Sequence, residues 1–129
     1  MDLAAELGTN GGISVQCLTV YIPDRDREGN EVPNQRTWVL RAANVLARIG
    51  GGATIMPVTE GLWLDDNGQV IQERTVLVYT FIRPDLFREM LPKLRTFLHS
   101  FGRETGQAEV AFDFDGRFYR IRKFDAAGE

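Results

Sequence analysis

The sequence predicts an α+β, ferredoxin-like fold, in which the order β-α-β-β-α-β forms an antiparallel sheet with two helices on one face and an extra C-terminal strand. The first observation is a central hairpin: residues 53–64 and 69–82 are rich in β-branched and aromatic residues and flank Asp65-Asp66-Asn67-Gly68. Asn-Gly is a strong hairpin signal. The second is that an amphipathic segment lies on each side of this hairpin, with a further strand-like run beyond it.

The N-terminal half of this pattern consists of a strand, a loop and a helix. Residues 13–22 alternate apolar and polar side chains and then become apolar on both faces, which predicts the first strand. Residues 23–33 are charged and bounded by two prolines, which predicts a surface loop too polar to pack. The first helix is expected to begin after an N-cap at Asn34 and to end at Gly50-Gly51-Gly52.

The C-terminal half consists of a second helix and a second hairpin. Apolar residues recur at helical spacing from Leu86 to Phe101. Pro92 falls inside this segment and predicts either a kink or a short helix followed by a longer one. Residues 109–114 and 117–121 flank Asp115-Gly116, which predicts a hairpin that adds one strand to the six-element unit.

Length and composition predict one globular domain over residues 13–124, preceded by a flexible N-terminus (1–12) and followed by a disordered tail (125–129). The chain has 129 residues, of which 43% are hydrophobic and 26% charged, as in ordinary globular proteins. No apolar run approaches the ~20 residues of a membrane-spanning helix. The first seven residues carry two acids and no basic side chain, so we expect no secretory signal and a cytoplasmic location.

The sequence contains few cysteine and histidine residues that could bind a metal or form a disulfide. Cys17 is the only cysteine and His99 the only histidine, which excludes an intrachain disulfide, a cysteine-based zinc site and a multi-histidine metal centre. Asp113 and Asp115 flank Phe114 in part of a calcium-loop pattern, but a hairpin turn explains them better. We therefore predict no metal and no cofactor.

Two glutamates on the central hairpin are the candidate acid/base residues. If the hairpin has an even-numbered loop, Glu60 and Glu73 share a face of neighbouring strands with Tyr79. One of the two acids would then stay protonated, a cation would sit between them, or an arginine would reach over them. If a bulge shifts the register by one residue, Glu60 instead faces Arg74 in a surface ion pair. The candidate catalytic residues are therefore Glu60, Glu73, Tyr79 and Arg103.

A basic cluster near the C-terminus is the candidate nucleic-acid site. Its members are Arg117, Arg120, Arg122 and Lys123. Such a cluster is more often the solvated face of a strand, and the net charge of −3 argues against non-specific nucleic-acid binding as the main function.

The motif Gly61-x-Trp63, with Gly68 and Glu73 on the same hairpin and Gln107-x-x-Val110 further on, resembles a family of small bacterial domains of unknown function with a ferredoxin-like order of elements. The resemblance implies that Trp63, Glu73 and Gln107 contribute to binding as well as to packing. Glu73 is selected by this resemblance and also by its place at the margin of an apolar strand, where burial disfavours a charged carboxylate.

Three classes of function remain open at this point. The first hypothesis is a non-catalytic binding or accessory module, with Trp63 at the contact. The second is a small enzyme that uses Glu73 as its acid or base, and the third is an RNA- or DNA-binding module.

Because two helices cover only one face of the predicted sheet, the other face should be apolar and unoccupied. We therefore expect a homodimer or a protein partner on this open face or on an edge strand.

Overall fold

An open antiparallel sheet of six strands lies at the centre of the fold, and helices pack on one of its faces. The computed structural model describes residues 1–128. The helices are α1 (Leu3–Leu7), α2 (Gln35–Gly50) and α3 (Pro84–Thr105), and the strands are β1 (Cys17–Ile22), β2 (Thr54–Ile55), β3 (Thr59–Leu64), β4 (Val70–Phe81), β5 (Val110–Phe114) and β6 (Arg117–Ile121). The strands are ordered β2-β4-β1-β5-β6, and β3 also pairs with β4. This confirms the predicted mixture of helices and antiparallel sheet.

The hydrophobic core lies between the sheet and helices α2 and α3. Alternate residues of β1 and β4 are buried there because successive side chains of a strand point to opposite faces. Trp38 of α2 packs edge-on against Phe101 of α3, with ring centroids 5.3 Å apart. α3 continues through Pro92 as one helix and begins with Pro84, where a proline costs no helical hydrogen bond. No helix within residues 1–128 is long and apolar enough to cross a membrane.

The central hairpin has a different turn from the one that an even-numbered loop requires. Leu64 pairs with Val70, so the loop contains five residues. The Asp65 carboxylate accepts hydrogen bonds from the N–H groups of Asn67 and Gln69, both 2.9 Å long. Within this loop only Gly68 adopts a positive φ, of 78°, as in a type I turn closed by a glycine bulge. The register places Glu60 opposite Arg74 and Gly61 opposite Glu73. Of the two registers considered in the sequence, the structure therefore has the shifted one, and the two glutamates do not share a face.

The second hairpin has the tight turn that Asp-Gly predicts. Phe114 pairs with Arg117, which leaves a two-residue loop. Asp115 and Gly116 both adopt positive φ, of 54° and 82°, as a type I′ turn requires. The extra C-terminal strand is thus β6.

The loop at 23–33 packs against the sheet, contrary to expectation. Val32 is buried, and Asp24 accepts a hydrogen bond of 2.8 Å from the N–H of Arg74. Gln35 donates from its amide to the carbonyl oxygens of Ile22 and Arg74, at 2.9 Å each. The loop packs here because β4 extends beyond β1. The backbone N–H and C=O groups of this part of β4 have no strand partner on that side, and side chains must bind them instead.

The two termini contain more structure than the flexible and disordered segments named above. Residues 3–7 form helix α1, although none of its side chains is buried. Asp125, at the start of the tail, accepts a bidentate hydrogen bond from Arg95 at 2.8 and 3.0 Å. The backbone N–H of Asp125 donates to Nδ1 of His99 at 2.8 Å. Glu129, the last residue of the tail, lies outside the described residues.

The glycines at the C-terminal end of α2 provide a test of this packing. A Cβ atom on Gly50 would overlap Oγ1 of Thr80 and the carbonyl oxygen of Phe81, whereas a Cβ on Gly52 would meet nothing within 4 Å. We expect Gly50→Ala to lower the free energy of unfolding by about 1–3 kcal/mol through overpacking. Gly52→Ala is the matched control and should leave it nearly unchanged. Urea unfolding of both variants measures the difference, and equal midpoints would contradict it.

Candidate functional site

A cavity of about 320 Å³ lies on the sheet face that the helices leave open. Thr75 and Leu77 of β4 face this cavity, whereas Val76 and Val78 between and beyond them are buried in the core. The lining side chains that carry aromatic rings or charges are Tyr21, Glu60, Trp63, Glu73, Glu109 and Phe118. Within the described chain, every charged residue at this cavity is therefore acidic.

Glu73 lies directly across the hairpin from a glycine. Gly61 is its partner in the register, and a Cβ atom on Gly61 would lie 3.1 Å from Oγ1 of Thr75 and 3.3 Å from Cγ of Glu73. The missing side chain leaves room for the glutamate to lie over β3. The hydroxyl of Thr75 donates to Oε1 of Glu73 at 3.4 Å.

Burial raises the pKa of Glu73 to about 7, because removing water from a carboxylate disfavours its charged form. The hydroxyl of Thr75 and the nearby indole of Trp63 oppose the shift, and the negative charge of Asp24 adds to it. A carboxylic acid with a pKa near neutrality can change its protonation state when a ligand binds. Glu73 is thus the residue of the cavity best suited to acid/base or charge-sensitive binding chemistry.

Trp63 and Gln107, which were predicted to act with Glu73, line the same cavity. Trp63 pairs with Ile71 on the hairpin, two residues from Gly61, and so lies on the face of Glu73. Gln107 is buried and donates from its amide to the carbonyl oxygen of Arg25 at 3.0 Å and to Oγ1 of Thr105 at 3.1 Å. Gln107 therefore joins the end of α3 to the 23–33 loop at the wall of the cavity.

The other candidate catalytic residues do not surround Glu73. Glu60 borders the cavity, but it is exposed and its side chain points to the opposite face of the hairpin. Tyr79 lies six residues further along β4, or roughly 20 Å at strand spacing. Arg103 donates from Nη1 to the carbonyl oxygen of Asp125 at 2.6 Å and so belongs to the contact between α3 and the C-terminal segment.

Two aromatic residues of the cavity were not singled out in the sequence. The Tyr21 hydroxyl donates to Oδ2 of Asp113 at 2.7 Å, and burial together with this carboxylate raises the pKa of Tyr21 to about 12. Phe118 packs edge-on against Tyr21, with centroids 5.6 Å apart. The alternation of side chains along β1 could have identified Tyr21, because residues two apart on a strand, such as Thr19 and Tyr21, lie on the same face of the sheet. Phe118 could be assigned to the cavity only once the pairing of β5 with β6 was known.

The basic residues near the C-terminus do not form one surface. Arg120 and Arg122 pair with Glu109 at 3.8 and 3.2 Å, and Arg120 lies 4.7 Å above the Phe118 ring. Arg117 and Arg120 are three residues apart on β6, so their side chains point to opposite faces of the sheet. The structure thus brings only part of the predicted nucleic-acid cluster together. Among residues 1–128, no group of three or more His, Cys, Asp or Glu side chains could hold a metal ion.

Comparison with solved structures finds a similar fold. The chain is similar to a phage SAM lyase in complex with S-methyl-5′-thioadenosine, with 13% sequence identity, a TM-score of 0.63, and coverage of 87% of this chain and 92% of that one. A structure of a phage SAM lyase in its apo state gives 12% identity, a TM-score of 0.62, and coverage of 88% of this chain and 94% of that one. No family model and no curated protein matches the sequence. The resemblance to bacterial domains of unknown function therefore stays a prediction.

The raised pKa of Glu73 predicts how stability depends on pH. Because the folded state holds the proton more tightly than the unfolded state, the contribution of Glu73 to stability is greatest below pH 4.5 and is lost as the pH rises to about 7. We expect Glu73→Gln to raise the free energy of unfolding above pH 7 by about 1 kcal/mol, a value reduced for solvent screening of the partly exposed carboxylate. Glu60→Gln, at an exposed position, is the control. Melting curves between pH 4.5 and 8 should diverge for Glu73→Gln alone; a lower melting temperature for that variant at pH 8 would contradict the expectation.

Gln107 should behave differently, since its amide donates two partly buried hydrogen bonds. We expect Gln107→Ala to lower the free energy of unfolding by about 1–3 kcal/mol, because the carbonyl oxygen of Arg25 loses its donor. Gln72→Ala, on an exposed position of β4, serves as the comparison. A Gln107→Ala variant as stable as the Gln72→Ala variant would show that water replaces the amide.

Proposed function

We propose that this protein is a binding module for a small organic cation, which it holds in the open-face cavity between Glu73 and Trp63. The observation that carries the proposal is the pairing of a partly buried carboxylate, that of Glu73, with the indole of Trp63 in a cavity that no basic residue of the described chain lines. A carboxylate supplies the countercharge, and an aromatic face attracts a cation through its quadrupole. The two groups together favour a cation that also carries apolar surface.

The protonation state of Glu73 would make this binding sensitive to pH. An empty cavity favours the neutral acid, since burial raises the pKa of Glu73 to about 7. A bound cation favours the carboxylate and so would release the proton from Glu73. Binding should therefore strengthen as the pH rises through 7, in the opposite direction to the stability of the unliganded chain.

The fold similarity suggests a specific cation to test. SAM carries a sulfonium, a positively charged sulfur with three carbon substituents, and an adenosine that could cover the aromatic part of the cavity. S-methyl-5′-thioadenosine, bound in the similar structure, is the neutral thioether of the same adenosine. A site that binds a sulfonium should prefer SAM to this thioether, because the carboxylate of Glu73 attracts the positive charge.

A SAM lyase reaction is the second candidate, and it is favoured by the similar fold and by a carboxyl group that titrates near neutrality. In such a reaction the bond from sulfur to the amino-acid side of SAM breaks, and its electron pair remains on sulfur as the neutral thioether. The departing fragment must then lose a proton or close on its own carboxylate. Glu73 in its ionised form could accept that proton.

The remaining features of the proposal concern the fold and its surroundings. We infer a ferredoxin-like arrangement, with β2 and β3 as one strand interrupted at 56–58, β4 and β1 next to it, and β5 beyond β1. A homodimer or a protein partner on the open face stays a proposal, supported by the exposed ring of Phe118 beside the cavity. A cytoplasmic location and a nucleic-acid role also stay predictions, and the ion pairs of Glu109 with Arg120 and Arg122 weaken the latter.

Ligand titration tests the binding proposal. We expect SAM to quench Trp63 fluorescence and to bind at least about 10-fold more tightly at pH 8 than at pH 5.5, because Glu73 must be ionised. Glu73→Gln should lose most of this affinity and its pH dependence, whereas the binding of S-methyl-5′-thioadenosine should change little. Glu60→Gln is the matched control, since its side chain points to the other face. Chromatography of the mixtures for S-methyl-5′-thioadenosine tests the lyase reaction.

Two results would count against the proposal. Equal affinity of SAM for the parent chain and for Glu73→Gln would remove the carboxylate from the site. Stronger binding of the neutral thioether than of SAM at pH 8 would show that the cavity does not select a cation.

A further inference from the structure

The outer surface of helix α2 is basic. α2 contains three arginines, Arg36, Arg41 and Arg48, and no acidic residue. A groove of about 480 Å³ runs between α2 and α3 on the side away from the sheet. Its lining residues are Thr37, Leu40, Arg41, Asn44, Val45, Lys93, Thr96 and Phe97. These positions form one helical stripe on each helix, since they recur at three- and four-residue spacing.

The cations of this groove are available to a ligand. The guanidinium of Arg41 lies 4.2 Å above the Trp38 ring and 6.0 Å from the Phe97 ring, so its position is fixed while its N–H groups remain at the surface. Within residues 1–128, neither Arg41 nor Lys93 forms an ion pair. Leu40 is 50% exposed between them. The groove therefore offers positive charge around an apolar centre.

The N-terminal segment has the opposite character. Within Met1–Leu7 there are two acidic side chains, Asp2 and Glu6, and no basic one. Three apolar residues of this segment are largely exposed: Met1, Leu3 and Leu7 have relative exposures of 104%, 59% and 71%. Helix α1 has both of its caps, since Asp2 accepts from the N–H of Ala5 and Gly8 adopts a positive φ of 70°. The segment is thus a capped, acidic, amphipathic turn of helix.

Helix α1 needs a surface to pack against. A helix of five residues is unstable alone in water, because nucleation costs more than so few hydrogen bonds return. None of its residues is buried, and none lines the groove of its own chain. Residues 8–16 join it to β1 and can span up to roughly 30 Å when extended, which is enough to reach a neighbouring molecule.

We propose that helix α1 of one chain docks into the α2–α3 groove of a second copy. Leu3 and Leu7 lie on one face of α1, four residues apart, and cover Leu40 and Val45. Asp2 and Glu6 then approach Arg41 and Lys93 of the partner copy. Exchange of a terminal segment between identical chains satisfies both surfaces at once and needs no other molecule. This proposal is independent of the ligand cavity, which lies on the other face of the sheet.

Sedimentation velocity of the full-length chain tests the docking. We expect association that increases with protein concentration between about 5 and 200 µM and weakens with added salt, because exposed charge pairs are screened. Lys93→Glu and Leu7→Ser should each weaken the association constant at least about 5-fold. Arg88→Glu makes the same charge change on α3 outside the groove and should have no effect. Circular dichroism verifies that each variant is folded.

A charge-exchange pair distinguishes this docking from other modes of association. Glu6→Arg alone and Arg41→Glu alone should both be mostly monomeric, whereas an equal mixture of the two should associate again, because the altered segment of one meets the altered groove of the other. A chain that stays monomeric at all concentrations would overturn the proposal. So would association that is unaffected by Leu7→Ser but abolished by Phe118→Ser, since that result would assign the contact to the open sheet face.

Discussion

The hydrogen-bond ladder of β4 is the constraint on which the rest of the structure depends. This strand has twelve residues, whereas β1 has six. Its second half, residues 76–81, pairs with β1, and residues 78 and 79 also pair with β2; its first half, residues 70–75, pairs with β3. The second half lies under the helices and contributes to the core. The first half extends beyond β1, so that one strand serves both the packed interior and the open cavity.

The properties of Glu73 follow from this division of β4. Further along the strand, a carboxylate would lie beside the core and lose nearly all of its water. At the turn, a carboxylate would be exposed to water and would have an ordinary pKa. Position 73 lies between these limits, opposite a glycine and beside Thr75 and Trp63. Burial that is substantial but incomplete places the pKa near neutrality rather than at an extreme.

Local sequence patterns predicted the elements well, and the contacts between distant elements poorly. Helical spacing around Leu46 and β-branched runs around Val78 were sufficient for the helices and strands. The register of the central hairpin stayed open between two alternatives because Asn-Gly fits two hairpin geometries. The Asp65 carboxylate selects the five-residue loop by binding two backbone N–H groups. Trp63, Glu73 and Gln107, which were selected together from the sequence, line one cavity. Arg103 was not, since its contact with Asp125 joins residues 22 positions apart in the chain.

The side-chain contacts at Arg74 have a consequence for how the protein behaves at high concentration. Beyond β1, the edge of β4 would present free N–H and C=O groups to any extended chain. Asp24 binds the N–H of Arg74, and Gln35 binds its carbonyl oxygen. Two side chains thus occupy the position that the strand of another molecule would take, which protects the longest strand of the sheet from edge-to-edge aggregation.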